Sequence, residues 1–121
     1  AFSWFQKAAN NGYKYAFYNL GRHYEYGLSV QKDISKAISM YEKAASLYHN
    51  YSCLLIGKWY LNGTNVPQDE YKAARYIKDA AFGGSDEGKF YMGVIHALGS
   101  GVPQDSVKAL LWLDRALKDK Y

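Results

Sequence analysis

Cysteine is nearly absent: Cys53 is the only one among 121 residues, so no intrachain disulfide framework can form. No apolar run approaches the roughly 18 residues that a membrane-spanning helix needs, which excludes membrane insertion by this segment. Charge of one sign is not concentrated either. Fifteen Lys and Arg stand against 11 Asp and Glu, a net charge of +4, and the basic residues are spread along the chain rather than gathered in runs. A nucleic-acid partner wants a focused basic stripe, and this pattern excludes one. The three histidines, His23, His49 and His96, are not paired at metal-ligand spacing, and Cys53 has no partner in sequence for a zinc site. Proline occurs only as Pro67 and Pro103. An initiator methionine is missing too, and the opening Ala-Phe-Ser-Trp-Phe reads as the interior of a helix, so the sequence is expected to be a segment of a longer protein.

What the chain does have is repetition. Gly99 to Ala109 reads Gly-Ser-Gly-Val-Pro-Gln-Asp-Ser-Val-Lys-Ala, and 36 residues earlier Gly63 to Ala73 reads Gly-Thr-Asn-Val-Pro-Gln-Asp-Glu-Tyr-Lys-Ala. A second step of 36 lands on Gly27 to Ala37, which keeps Gly27, Val30, Asp33 and the pair Lys36-Ala37. A fixed period of about 20–50 residues marks a repeat array, in which each unit buries its apolar face only by stacking on its neighbour. The length fits one compact domain, and 49% hydrophobic residues suffice for a continuous core.

Laid on the period, Ala1, Ala37, Ala73 and Ala109 share one position, as do Trp4, Met40, Tyr76 and Trp112, then Phe5, Tyr41, Ile77 and Leu113, then Ala8, Ala44, Ala80 and Ala116. Spacings of three and four mark an amphipathic helix, here called helix B, present four times. Helix A is predicted over Tyr13–Tyr26, Asn50–Asn62 and Asp86–Leu98. Its inward stripe is Leu20, Ile56 and Met92 with Tyr24, Tyr60, His96, Ala16 and Ser52. Gly21, Gly57 and Gly93 recur inside every helix A, where glycine costs roughly 0.5–1 kcal/mol relative to alanine, so the recurrence predicts a close helix crossing. Asp33, Asp69 and Asp105 are placed to cap each helix B. Gly12 and Gly84 close helix B in the left-handed conformation, but Tyr48 fills the middle slot and predicts a turn that closes differently or bears strain.

The run from Ala16 to Gly27, Ala-Phe-Tyr-Asn-Leu-Gly-Arg-His-Tyr-Glu-Tyr-Gly, followed by the Val-Pro-Gln-Asp loop and a helix with Lys-Ala and Ala-Ala pairs, resembles the Sel-1-like repeat. The resemblance covers nearly the whole chain: residues 1–12 as the second helix of a preceding repeat, then repeats at 13–48, 49–84 and 85–121. The tetratricopeptide repeat is the nearest rival, but its period is about 34 and its turn shorter than the loop here. The resemblance implies an all-α, right-handed superhelical solenoid of antiparallel helix pairs with the A helices lining the concave side. It also implies an adaptor that assembles other proteins. A bacterial branch of the family carries a disulfide in each repeat, and the single cysteine excludes it. The sequence departs from the family pattern at Tyr48, at Gln31-Lys32 in place of Pro-Gln, and at Leu117 in place of the second alanine of the last pair.

A quarter turn from the inward stripe lie Tyr15, Asn19, Arg22 and Tyr26. Their equivalents are Tyr51, Leu55, Lys58 and Asn62, then Glu87, Tyr91, Val94 and Leu98. A solvated face is mostly charged, whereas aromatic and aliphatic residues flanked by Arg22, Lys58 and Glu87 have the composition of an interaction patch. Packing between adjacent A helices is the alternative for these same residues. The expected partner is a protein or peptide in the concave groove. The runner-up is a structural or self-associating segment, with a second copy of the chain as partner. An enzyme is the third and weakest reading, since neither Asp69-Glu70 nor Asp86-Glu87 does more than favour a helix start and Gly99–Gly101 has no phosphate-loop context. No catalytic, cofactor or metal residue is assigned.

Overall fold

The computed structural model describes residues 13–120, and these form six helices: α1 (Lys14–Tyr26), α2 (Ile34–Ser46), α3 (Asn50–Asn62), α4 (Glu70–Phe82), α5 (Asp86–Leu98) and α6 (Ser106–Lys120). There is no strand among the described residues. The first helix B, with Trp4 and Gly12, lies outside them. Helices α1, α3 and α5 are the predicted A helices, and α2, α4 and α6 the B helices. Each A helix packs on the B helix that follows it, and each of α2 and α4 packs on the next A helix, so the chain is a linear stack of helix pairs.

The loops between A and B are one loop made three times. Gly27, Gly63 and Gly99 close their helices at φ 67°, 70° and 69°, and Ser29, Asn65 and Gly101 follow with φ 64°, 62° and 74°. The loop then returns to the helix it left: the Asp33, Asp69 and Asp105 N–H groups donate to the carbonyls of Tyr24, Tyr60 and His96, all at 2.9 Å. The aspartate side chains cap as expected. Asp33 accepts from the Lys36 N–H at 3.1 Å, Asp69 from Tyr71 and Lys72 at 3.1 Å, and Asp105 from Lys108 at 3.0 Å. In the second and third loops the glutamine after proline also reaches back, Gln68 Nε2 donating to the Leu61 carbonyl at 2.9 Å and Gln104 Nε2 to Ala97 at 3.0 Å. Lys32 stands in this place in the first loop.

The mid-helix glycines sit where A crosses B. A Cβ on Gly21 would come within 2.6 Å of the Tyr41 ring, on Gly57 within 2.7 Å of Ile77 Cγ1, and on Gly93 within 2.6 Å of Leu113 Cγ. Tyr41, Ile77 and Leu113 are themselves one register position, so one contact is built three times. Tyr41 and Ile77 are fully buried, and the Tyr41 hydroxyl donates to Glu25 Oε1 at 2.6 Å. Burial and that carboxylate together raise the Tyr41 pKa far above the usual phenol value. Between units the small residues do equivalent work: Ala44, Ala45, Ala80 and Ala81 are buried, and a Cβ on Gly88 would lie 2.9 Å from the Ala81 nitrogen.

Tyr48 does not change how helix B closes. Its N–H donates to the Ala45 carbonyl at 2.9 Å and that of His49 to Ala44 at 3.1 Å, matching Gly84 to Ala81 at 3.1 Å and Ser85 to Ala80 at 3.0 Å. The tyrosine is therefore forced into the left-handed region at φ 60°, where Gly84 sits at 101°. A β-carbon there is strained by roughly 1–2 kcal/mol. Tyr48→Gly is expected to raise stability by about 0.5–1 kcal/mol, after the entropy of a freer unfolded chain is set against the relief. Gly57→Ala is expected to lower it by about 1–3 kcal/mol through overpacking against Ile77. Urea denaturation of both variants beside the parent checks the two signs together.

Candidate functional site

The face of the A helices turned away from the B helices carries the predicted stripe, and none of its residues is buried. Tyr15 and Tyr51 stand exposed near the starts of α1 and α3, Tyr26 and Leu98 at the ends of α1 and α5, the last with 72% of its surface open. Arg22, Asn62 and Glu87 are exposed, and Asn19, Leu55, Lys58, Tyr91 and Val94 half-buried. Leu55 and Tyr91 also rest against the core, so for these two the packing alternative holds in part.

Two clusters link neighbouring A helices. Across α1 and α3, Tyr18 meets Tyr51 edge to face with ring centroids 5.4 Å apart, and His49 lies 4.8 Å from Tyr18 and 5.0 Å from Tyr15. The Arg22 guanidinium is 5.9 Å from the Tyr18 centroid. Burial raises the Tyr18 pKa, against the pull of Arg22. Across α3 and α5, Lys58 Nζ donates to Glu87 Oε1 at 2.9 Å and lies 5.5 Å from the Tyr91 centroid. The bond to Glu87 raises the Lys58 pKa, so this ammonium is charged at any physiological pH. Tyr26 and Leu98 stand apart from both clusters, at the glycine ends of their helices.

Sequence reasoning missed His49. It occupies the N-cap of α3, the slot of Ser85 at α5, and its Nδ1 accepts from the Ser52 N–H at 3.3 Å and lies 2.7 Å from Ser52 Oγ. The period was the available signal, since His49 and Ser85 are 36 apart. The bond from the Ser52 N–H requires a neutral ring with its proton on Nε2, and burial first, then the Lys14 charge, lowers the His49 pKa accordingly. Cys53 is buried, its thiol donates to the Ala45 carbonyl at 3.5 Å, and burial with help from Asp79 pushes its pKa up to about 11. That is a packing thiol rather than a nucleophile. Among the described residues no three of His, Cys, Asp or Glu come together as a metal site, and no helix is long and apolar enough to cross a membrane.

This architecture, with interdigitated helix pairs repeated at a constant interval and a continuous face left open, is that of an α-solenoid. The chain belongs to the Sel1 repeat family, whose model matches residues 1–13, 15–49, 50–81 and 86–120. A Sel1 repeat protein from Oxalobacter formigenes superposes on 99% of this chain with TM-score 0.86 at 29% identity. The protective antigen c5321 of uropathogenic Escherichia coli, described as displaying an SLR fold, superposes on all of it with TM-score 0.89 at 27% identity. This chain spans 49% of the first of those proteins and 26% of the second. Mouse DAP3-binding cell death enhancer 1 is 55% identical over 38 residues, 31% of this chain and 8% of that protein. Sel1 repeats generally mediate protein–protein contact and form a non-enzymatic scaffold.

The neutral His49 cap makes stability depend on pH. Because the folded protein holds His49 below its unfolded pKa of about 6.5, the unfolded chain binds the extra proton, and the cap's contribution is lost as pH falls from that value. Comparing urea stability at neutral and mildly acidic pH in the parent and in His49→Ser is expected to show about 1 kcal/mol less acid destabilisation in the variant, whose cap does not titrate.

Proposed function

We propose that this segment binds a partner protein through an extended peptide or a helix laid along the open face of the A helices, and that it works as an adaptor rather than an enzyme. The observation that carries this reading is the composition of that face: Tyr15, Tyr26, Tyr51 and Leu98 are exposed and run across the three A helices, beside the cations Arg22 and Lys58. Aromatic residues and arginine at the centre of a surface are the usual anchors of protein interfaces, because they bury much area for little lost side-chain freedom. The Lys58–Glu87 and Tyr18–Tyr51 contacts fix neighbouring helices to one another, so the face is largely preformed. Half-buried Leu55, Tyr91 and Val94 form its floor, and Asn19 and Glu87 supply polar contacts at its edges. The mouse relative is named for binding another protein, which agrees with an adaptor's role.

A second reading, a structural or self-associating segment, rests on the same open A-helix face, whose exposed Tyr26 and Leu98 suit a second copy of the chain as well as another protein.

Peptides selected from a displayed random library on the parent protein are expected to bind at least tenfold more weakly to Tyr51→Ala and Leu98→Ala, both exposed enough to leave the helical circular dichroism intact. Unchanged affinity in both variants overturns the proposal. Light scattering adds the other arm: a dimer abolished by Leu98→Glu favours self-association, and a monomer favours binding of another protein.

A further inference from the structure

The third repeat carries a hollow whose lining differs from that of its counterparts in the first two. At the register position held by Tyr24 and Tyr60, the chain has His96. In the first two repeats the lysine three residues after the capping aspartate lies over the tyrosine ring, Lys36 Nζ 5.5 Å from the Tyr24 centroid and Lys72 Nζ 5.3 Å from Tyr60. Tyr60 is further stacked on Tyr76, centroids 6.0 Å apart. In the third repeat Lys108 has no tyrosine beneath it, and a cavity of about 390 Å³ lies between α4 and α6 over α5. The hollow of about 400 Å³ beside Tyr24 has Asp33 in its wall, and that of about 190 Å³ in the second repeat has Glu42 and Asp79. His96 lines it, is only 8% exposed, and its Nδ1 has no hydrogen-bond partner.

The walls combine cations with aromatic rings. Phe82 and Trp112 meet edge to face with centroids 5.4 Å apart, Lys78 Nζ is 5.8 Å from the Phe82 centroid, and the Arg115 guanidinium is 5.1 Å from that of Trp112. Lys78, Lys108 and Arg115 all line the cavity, and no carboxylate does. Three like charges over an apolar floor repel one another until an anion joins them, and charge-assisted bonds from ammonium or guanidinium are the strong kind. The size is at the lower end of ligand pockets, enough for one or two side chains.

We propose that this cradle is a second binding site, separate from the open A-helix face, and that it takes a carboxylate of an acidic peptide with a bulky apolar side chain next to it. The carboxylate lies among Lys78, Lys108 and Arg115, and the apolar side chain lies on Trp112 and Phe82 above His96.

The test is a two-dimensional NMR titration of the folded protein, followed at the Trp112 indole N–H and the His96 ring, with N-acetyl-leucyl-glutamate amide, its glutamine counterpart and inorganic phosphate as probes. The glutamate peptide is expected to shift both signals saturably, and at least fivefold more tightly than the glutamine peptide or phosphate. Lys108→Ala, at an exposed position, is expected to weaken it at least fivefold. Arg115→Glu, also at an exposed position, puts back a carboxylate where Asp79 stands in the second repeat and is expected to abolish it. Equal binding of the glutamine peptide, or of phosphate alone, overturns the proposal. So does undiminished binding by a folded Lys108→Ala or Arg115→Glu protein.

Discussion

Everything in this molecule depends on how closely an A helix can approach its B helix. The glycines at 21, 57 and 93 remove the one carbon that would stand between the two, and Tyr41, Ile77 and Leu113 fill the space so made. The benefit is dense packing of large buried side chains. The drawback is a helix interior weakened at one residue in each repeat. Because the contact recurs at the same register, an error in it would be made three times, and the geometry of one repeat is passed to the next through the alanine pairs.

The loops hold this spacing constant. Closure by a left-handed glycine, return of the aspartate N–H to helix A, and capping of helix B by the same aspartate together determine where B begins relative to A. One consequence is that all three A helices present the same face outward, aligned over the length of the array. Chemistry can then vary on that face without disturbing the fold: Tyr15, Tyr51 and Glu87 share one position, and so do Tyr26, Asn62 and Leu98. Variation also reaches below the surface, where His96 stands at the register of Tyr24 and Tyr60.

Much of the fold was legible because the repeat supplies its own alignment. Glycine at a mid-helix position is ambiguous once, but three glycines at one register, with tyrosine, isoleucine and leucine at a second, already describe a crossing. Tyr48 was legible as a misfit, and the backbone answers by accepting strain rather than by changing the turn. Other features were not legible, since they depend on loop path and helix offset. Gln68 and Gln104 belong to the motif, yet their bonds to Leu61 and Ala97 follow from where the loop doubles back. Lys58 and Glu87 lie 29 residues apart and meet only because α3 and α5 are adjacent. Tyr18 packs against the core and is also the platform under Tyr51 and His49, a double role that only the placement of α3 beside α1 creates. Of the candidate site, the sequence yields a stripe of residues on one face, and the structure adds which of them are joined across helices and which stand free.

The most direct measurement of the central contact is a double-mutant cycle between positions 57 and 77. If steric exclusion by Ile77 is the reason for Gly57, a β-carbon at 57 will be far better tolerated once 77 is reduced to alanine. Combining Gly57→Ala with Ile77→Ala should then give a coupling energy of at least about 1 kcal/mol, since residues in contact are not additive. Full relief is not expected, because the same carbon would also lie 3.2 Å from the Ile77 nitrogen. Strict additivity of the two substitutions would contradict the account.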